Sequence, residues 1–575
     1  MSKWTYLQVN SKEPVRGPEG VPASIVRMLV ERGVTDLPAM EDFLSNRPRT
    51  THDPFLMPDL AEGVDKILAA VESGKKICIY GDYDADGVTS CSLLINVLSH
   101  LTDKICYHIP SRFFEGYGLN NGAIEQIRSE GTELIVTVDC GSTSPDEVNF
   151  AKSLGMDIIV TDHHSPYVGK TPDCLFINPK RADSKYPFSG LSGCGVAFKL
   201  AQGIQRRLEA KGDTRFTRTE LNSLLDLVAI STVADVVPLL DENRSLVKYG
   251  LDRLNRQERP GLKALLNLLK LDDKELTSDN IAFIIAPNIN ALGRMGSASV
   301  GVELLTGGEH EMKRLGNLAR QMYDNNQARK GIQEETVRQC LDAMVKEDCG
   351  KLFPVIFAPE AHEGVAGIVA GNLKENLYRP VFIITRRADG VLKGTGRCIP
   401  GLNLHEMVST CSDILTRFGG HAGACGLSLP EEKLPEFRAR MQALMEKKLQ
   451  ESPDLLEEHL ILEKELEPQE KTLEFAQALQ RLEPFGAENP KPLFSICNAH
   501  VLSVFTMGQE NQHMRFTIQT MDGVAVNCVL FRRADEFLDM VRKGSRIDVA
   551  GELSVNEYMG NCKLQFIVKD IRRSR

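Results

Sequence analysis

The sequence predicts a multidomain α/β protein with a small β-barrel near its C-terminal end, and three observations carry that reading. At about 150 residues per domain, 575 residues suffice for three to four separate cores. Short apolar runs rich in β-branched residues alternate with helical stretches between residues 76 and 178, and again between 352 and 429. That alternation is the pattern of parallel strands covered by helices on both faces. From residue 493 onward, brief alternating segments separated by turn residues indicate a closed barrel.

Residues 1–50 are read as an N-terminal segment. Beyond it, ICIY (77–80), ICYHI (105–109), LIVTV (134–138), DIIVT (157–161) and LFIN (175–178) read as strands. The helices between them are SCSLLINVLSHL (90–101), AIEQIRSE (123–130) and PDEVNFAKSLG (145–155). Mostly helical sequence follows from Gly193 to Leu271, and the first domain is placed at 51–305. Apolar positions at helical spacing from Leu315 to Met344 predict a connecting helix over 306–350, either continuous or broken at Gly331. A second α/β domain, 351–447, carries strands PVIFA (354–358) and PVFIIT (380–385) around the helix GIVAGNLKEN (367–376). An acidic linker helix is expected over 448–470. HMRFTIQT, VAVNCVLF, RIDVAG and KLQFIV then make 471–575 a barrel, with an OB-fold the expected kind.

Composition excludes several classes. Hydrophobic residues make up 42% and aromatics 6% of the chain, which is ordinary for a globular protein. No apolar run approaches the ~18 residues of a membrane span. The first seventeen residues lack an apolar core and a cleavage site, so a cytoplasmic protein is expected. Fourteen cysteines without a CxxC pair speak for reduced core thiols, not zinc knuckles or disulfides. The net charge of −10 does not exclude a nucleic-acid substrate, because the stretch from Glu451 to Glu470 alone contributes −7.

Chemistry concentrates just after strand ends. The first strand runs into Gly81-Asp82-Tyr83-Asp84-Ala85-Asp86-Gly87, the third into Asp139-Cys140-Gly141, and the fourth into Asp162-His163-His164. A helical segment ends at Asp235. In a doubly wound sheet the carboxyl ends of the strands face one crevice, so Asp84, Asp86, Asp139 and His163 should converge. Acids that close repel and raise each other's pKa unless a cation neutralises them. Oxygen-rich ligation with an imidazole suits Mn²⁺ or Mg²⁺, and two such ions ~3.5–4 Å apart can drive displacement at phosphorus. Cys140 is read as a small core thiol.

GDYDADG, VDCG, DHH and the ADVVPL segment resemble the four motifs of the DHH phosphoesterase superfamily in order and spacing. APNINALGRMGSA (286–298), HEGVAGIVAG (362–371), GTGRCIPGLNLHEM (394–407) and FGGHAGACGLSL (418–429) resemble the DHHA1-type partner domain of the RecJ exonucleases. LEPFGAENPKPLF (482–494) has the same likeness. The resemblance implies a single-strand-specific 5′→3′ exonuclease with two Mn²⁺ or Mg²⁺ ions, acting in repair and recombination. It assigns Asp82, Asp84, Asp86, Asp139, His163 and Asp235 to metal, with Asp139 bridging. Asp82 matches the RecJ form of the first motif, and Tyr80 stands where smaller relatives carry a histidine. His164 is expected to face the scissile phosphate, and Asp162 to orient the histidines.

On the substrate side, Arg294 and Arg397 are read as standing in glycine-rich turns, where backbone can approach a ligand and guanidinium can bind phosphate. By resemblance, Arg112, Arg294, Thr395 and Arg397 bind the 5′-terminal phosphate and His421 binds substrate. Phe113, Phe114 and Tyr117 are either base-stacking or core residues. Arg532-Arg533, Arg542-Lys543 and Arg572-Arg573 give the barrel local positive charge. The implied partners are single-stranded DNA with a 5′ end, single-strand-binding protein and a RecQ-type helicase, around a monomer. The alternative is a DHH-family phosphodiesterase on short oligonucleotides or cyclic dinucleotides, whose shorter chains lack a terminal barrel.

Overall fold

The computed structural model describes residues 2–7, 16–112, 114–167, 169–345, 351–387, 390–508, 510–558 and 560–574. The chain forms two compact units, one of Met1–Thr5 and Asp324–Leu460, the other of Tyr6–Tyr323 and Ile461–Arg575.

In the larger unit a five-stranded parallel sheet has the order Ile105–His108, Ile77–Tyr80, Leu134–Thr137, Asp157–Thr161, Leu175–Ile177. The strand Ile77–Tyr80 is buried at every position, which explains its unbroken apolar run. The connection leaving it goes to one side and the next returns to the other. A ligand crevice therefore opens between the C-terminal ends of Ile77–Tyr80 and Leu134–Thr137. Helix Ala85–Ser99 is buried nearly all round, packing against helices Gly193–Ala210, Leu225–Ala234 and Ser299–Thr306. Gly301 permits the last of these contacts, since a Cβ there would lie 2.8 Å from a Val88 methyl. Such fully buried aliphatic side chains stabilise by roughly 1.5–3 kcal/mol each.

The same unit contains a barrel built from Phe494–Met507, His513–Gln519, Ala525–Leu530, Asn561–Arg573 and Arg546–Tyr558. It is closed by pairing of the first with the last, as in Phe494 with Gly551. The residues before Thr51 are more than a leading segment. Helices Ala23–Glu31 and Leu37–Leu44 put Met28, Leu29 and Phe43 into one core with Leu482, Phe494 and Phe516 of the barrel region.

The smaller unit holds a mixed sheet in the order Arg417–His421, Ala424–Leu429, Leu392–Arg397, Val381–Arg386, Val355–Phe357, with only the last pair parallel. Helices Glu363–Leu377 and Leu434–Glu451 cover it.

One alternative left open by the sequence is resolved, and one expectation needs correction. The connecting helix is continuous, Met312–Ala343, and Gly331 does not break it; its 32 residues span roughly 48 Å. The acidic linker is not a helix over 448–470. Helix Leu434–Glu451 ends ahead of Pro453, and His459–Leu462 pairs as a strand with Lys3–Tyr6. Proline stops the helix, and His-Leu-Ile-Leu favours extended backbone.

Candidate metal centre and substrate contacts

The first motif is shaped by the entry into helix Ala85–Ser99. Asp84 caps that helix, accepting hydrogen bonds from the Asp86 and Gly87 amides at 3.0 Å. Gly87 is required because a Cβ there would come within 2.4 Å of the Asp82 carbonyl oxygen. The loop is tied down from another helix, as the Asn290 side-chain oxygen accepts from the Ala85 amide at 2.8 Å. Asp86 lies in the first helical turn and turns toward the start of helix Gly193–Ala210. It accepts from the Gly193 amide (2.7 Å), the Cys194 amide (2.8 Å) and the Ser231 hydroxyl (2.6 Å). A helix N-terminus favours a carboxylate in this position.

Asp139 follows the strand Leu134–Thr137 in left-handed backbone, φ 60°, a conformation costly for a residue other than glycine. It fits closely against Gly193, where a Cβ would sit 2.6 Å from that of Asp139. The His163 Nε2 atom is 3.1 Å from Asp139, 3.6 Å from Asp86 and 3.6 Å from Asp235. Asp235 terminates helix Leu225–Ala234, one turn beyond Ser231. Ligand atoms of Asp82, Asp84 and Asp139 lie within 4.8 Å of one another, as do those of Asp86, His163 and Asp235.

Burial and the crowding of acids set the electrostatics of this group. Burial and neighbouring carboxylates push the Asp82, Asp84 and Asp139 carboxyls up, and Asp235 up to about 8. Burial holds His163 below its usual value, hence neutral, the form in which imidazole binds metal. Among the described residues, buried Asp82 Oδ1, Asp139 Oδ1 and both His163 ring nitrogens have no hydrogen-bond partner. Buried polar atoms without partners are rare and costly. Carboxylate oxygens and a neutral imidazole are also the donor set of Mn²⁺ or Mg²⁺, so these residues fit divalent ions.

Asp162 plays a different part. It accepts from the amides of Ser142, His163 and His164 and from His164 Nδ1 at 2.8 Å. Burial opposes its charge, but these bonds and the His164 charge hold it well below the usual carboxylate range. Burial likewise opposes the His164 cation, yet Asp162 raises that ring to about 9. Asp162 therefore orients the ring of His164, while it touches His163 only through the backbone. Tyr117 brings its hydroxyl to 3.1 Å from His164 Nδ1. Cys140 is fully buried, its thiol pointing at the Tyr80 carbonyl, a core thiol as expected.

Sequence reasoning did not find Ser231, Gly193 or Cys194 as partners of Asp86. Ser231 carried one signal, its place four residues before Asp235 on the same helix face.

Arg112 lies over the Tyr83 ring at 5.6 Å, and the charges of Arg112 and Arg294 both act on the Tyr83 hydroxyl. Both cations thus stand beside the first motif. Arg294 is in the last turn of helix Ala286–Met295, not in a glycine-rich turn, and Gly293 serves packing against the Tyr83 carbonyl. Arg397 ends the strand Leu392–Arg397, where Gly394 and Gly396 make room for Leu427 and Phe382. Thr395 is on the same strand. Gly367 faces this pair, with its Cβ position 3.0 Å from the Arg397 guanidinium. His421 is exposed at a hairpin end, accepting from the Gly423 amide, so it is not a core histidine. Phe114 is 92% exposed and Tyr117 47%, against a core role, and Phe113 lies outside the described residues. Several barrel cations are committed locally, Arg533 to Glu536, Arg542 to Asp539 and Arg572 to Asp548.

Comparison with known proteins supplies family matches over three segments. Residues 76–232 match the DHH family N-terminal domain, 351–447 the DHHA1 domain, and 462–570 the RecJ OB domain. The chain is 36% identical to the single-stranded-DNA-specific exonuclease RecJ of Bacillus subtilis, over 95% of this chain and 67% of that protein. It is 34% identical to that of Escherichia coli, over 96% of each. The structure resembles RecJ of Thermus thermophilus in complex with Mn²⁺, with TM-score 0.82 and 28% identity over 100% of this chain and 80% of the other. Among the described residues no helix is long and apolar enough to cross a membrane.

Proposed function

The chain belongs to the RecJ family of single-stranded-DNA-specific exonucleases, and from that premise we propose that it degrades single-stranded DNA from a 5′ end to mononucleotides. The observation that carries the chemistry is the buried group of carboxylates and one imidazole in which Asp82 Oδ1, Asp139 Oδ1 and both His163 nitrogens have no hydrogen-bond partner among the described residues. Asp82, Asp84 and Asp139 would hold one divalent ion, and Asp86, His163 and Asp235 the other, with Asp139 facing both. Two Mn²⁺ or Mg²⁺ ions in such a centre activate water and neutralise charge at phosphorus.

The protein's own groups do the rest. Asp86 is fixed by four donors, the Gly193 and Cys194 amides and the Ser231 and Ser90 hydroxyls, so its carboxylate presents one geometry instead of sampling several. Left-handed backbone at Asp139 aims that carboxylate into the crevice. His164, kept cationic by Asp162, faces the scissile phosphate. As the bond from water oxygen to phosphorus forms and the P–O3′ bond breaks, it supplies a proton to the departing 3′-oxygen. Arg112 and Arg294 bind phosphate in the larger unit; Thr395, Arg397 and His421 contact substrate in the smaller one.

The same family footing supports a monomeric cytoplasmic enzyme of DNA repair and recombination, working with single-strand-binding protein and a RecQ-type helicase. Digestion of single-stranded DNA labelled at either end, with and without Mn²⁺, tests the activity. The 5′ label should appear at once as mononucleotide, only with metal. Early release of the 3′ label as mononucleotide would contradict the polarity.

A further inference from the structure

A cavity lies on the larger unit, with Leu225 of the helix that leads to Asp235 in its wall. It measures about 380 Å³ and is lined by residues of the 48–51 segment, of helix Gly193–Ala210, and of the helices beginning at Arg218, Leu225 and Asp241. Its size falls in the roughly 300–1,000 Å³ range of small-molecule sites.

Its chemistry is the reverse of the metal centre's. Three arginines, Arg49, Arg206 and Arg218, line it, and no acid among the described residues does. Arg206 is paired with Asp53 at 2.8 Å, and Arg49 lies within the field of Asp42. The Arg218 guanidinium makes no ion pair or hydrogen bond among the described residues. Arginines gathered around one cavity, with Arg218 held by no carboxylate, are a usual means of holding a phosphoryl group.

The inner wall adds an independent observation. Ser245 is 5% exposed, lines the cavity, and its hydroxyl has no hydrogen-bond partner among the described residues. A serine inside a helix ordinarily bonds back to the carbonyl four residues earlier, and this one does not. An unsatisfied buried hydroxyl costs about 1–3 kcal/mol, a cost that a polar ligand removes. Phe198 and Tyr249 supply aromatic surface and Asn222 a side-chain amide. Cations for a phosphate, aromatic surface for a ring, and hydroxyl and amide groups for its edges belong together in one ligand class.

We propose that this cavity binds a phosphorylated nucleoside, at a site separate from the metal centre. Helix Leu225–Ala234 links the two places, with Leu225 in the cavity wall and Asp235 at its other end, roughly 15 Å away at 1.5 Å per residue.

Titration of the full-length protein with a fluorescent deoxynucleoside monophosphate, in parallel with the nucleoside and with inorganic phosphate, tests the proposal. It is done on the Asp139→Ala variant without added metal, so that product binding at the metal centre does not contribute. The nucleotide should bind at least tenfold more tightly than either fragment, and Arg218→Glu should weaken it at least tenfold. Ser245→Leu, which fills the cavity, should do the same. Arg218 is an exposed residue at a helix start where glutamate is well tolerated, so loss of folding is not expected there. Undiminished binding in Arg218→Glu, or phosphate binding as well as the nucleotide, would overturn the proposal. The outcome does not depend on whether the exonuclease reading holds.

Discussion

Two clusters of buried charge in the larger unit make an instructive pair. Lys199 and Glu242 form an ion pair at 2.7 Å with both side chains fully buried. Tyr186 donates to Glu242, the His52 amide donates to it as well, and Lys199 donates to the His52 carbonyl. Every charge there has a counter-charge built from the chain. The acidic cluster gathers Asp82, Asp84, Asp86, Asp139 and Asp235 around one neutral imidazole, and among the described residues no lysine or arginine pairs directly with them. The difference is in what completes each cluster: the first is closed by folding, the second, on the function proposed above, by an ion taken from solution.

The largest effect should come from removing the group at the heart of the second cluster. Asp139→Ala should lower exonuclease turnover by at least about a thousandfold, since metal-assisted chemistry supplies several kcal/mol and each 1.4 kcal/mol is tenfold. Binding of single-stranded DNA should change little. Turnover within tenfold of the parent would break the comparison, because the acids would then be structural like Glu242.

Next is the closed cluster. Glu242→Ala should destabilise the fold by about 3–5 kcal/mol by stranding a buried lysine, as read by denaturant unfolding. Replacing both members with apolar residues of similar size should recover most of that loss.

The open cluster should have its own pH signature. A carboxyl whose proton affinity is higher in the folded chain stabilises below its unfolded value and loses that contribution as pH rises through the folded one. For Asp235 the window runs from 3.8 to about 8. Metal-free protein should therefore lose stability across that window. The rise in melting temperature on adding Mn²⁺ should be larger at pH 8 than at pH 6. An equal rise at both would mean that the ion binds elsewhere.

The smallest effect concerns support. Ser231→Ala removes one of the donors to Asp86 and should weaken metal affinity by about 10–100-fold, with about 1 kcal/mol lost in stability. Unchanged metal affinity would show that the two helix amides and the Ser90 hydroxyl suffice.

Much of this was legible in the sequence because the site residues follow short strands. The runs ICIY, LIVTV and DIIVT leave little choice of element, and acids just beyond strand ends share a crevice. What escaped were partners defined by tertiary packing. Ser231 sits within an apolar helix, and nothing local marks it as a donor to Asp86. Helices Ala23–Glu31 and Leu37–Leu44 share a core with strands some 450 residues away, a distance over which periodicity carries no information. Arg294 and Arg397 were misplaced for a related reason, since their neighbouring glycines serve close packing in a helix and a strand and not turns. The 448–470 stretch misled through composition, because acids are common in helices and its extended segment is short.

The most direct measurement is anomalous diffraction from crystals grown with Mn²⁺. Two peaks should appear, one amid Asp82, Asp84 and Asp139 and one amid Asp86, His163 and Asp235. In Asp139→Asn at least one peak should weaken or vanish. Crystals with no manganese among these side chains, or with a protein cation drawn into their midst, would contradict the account.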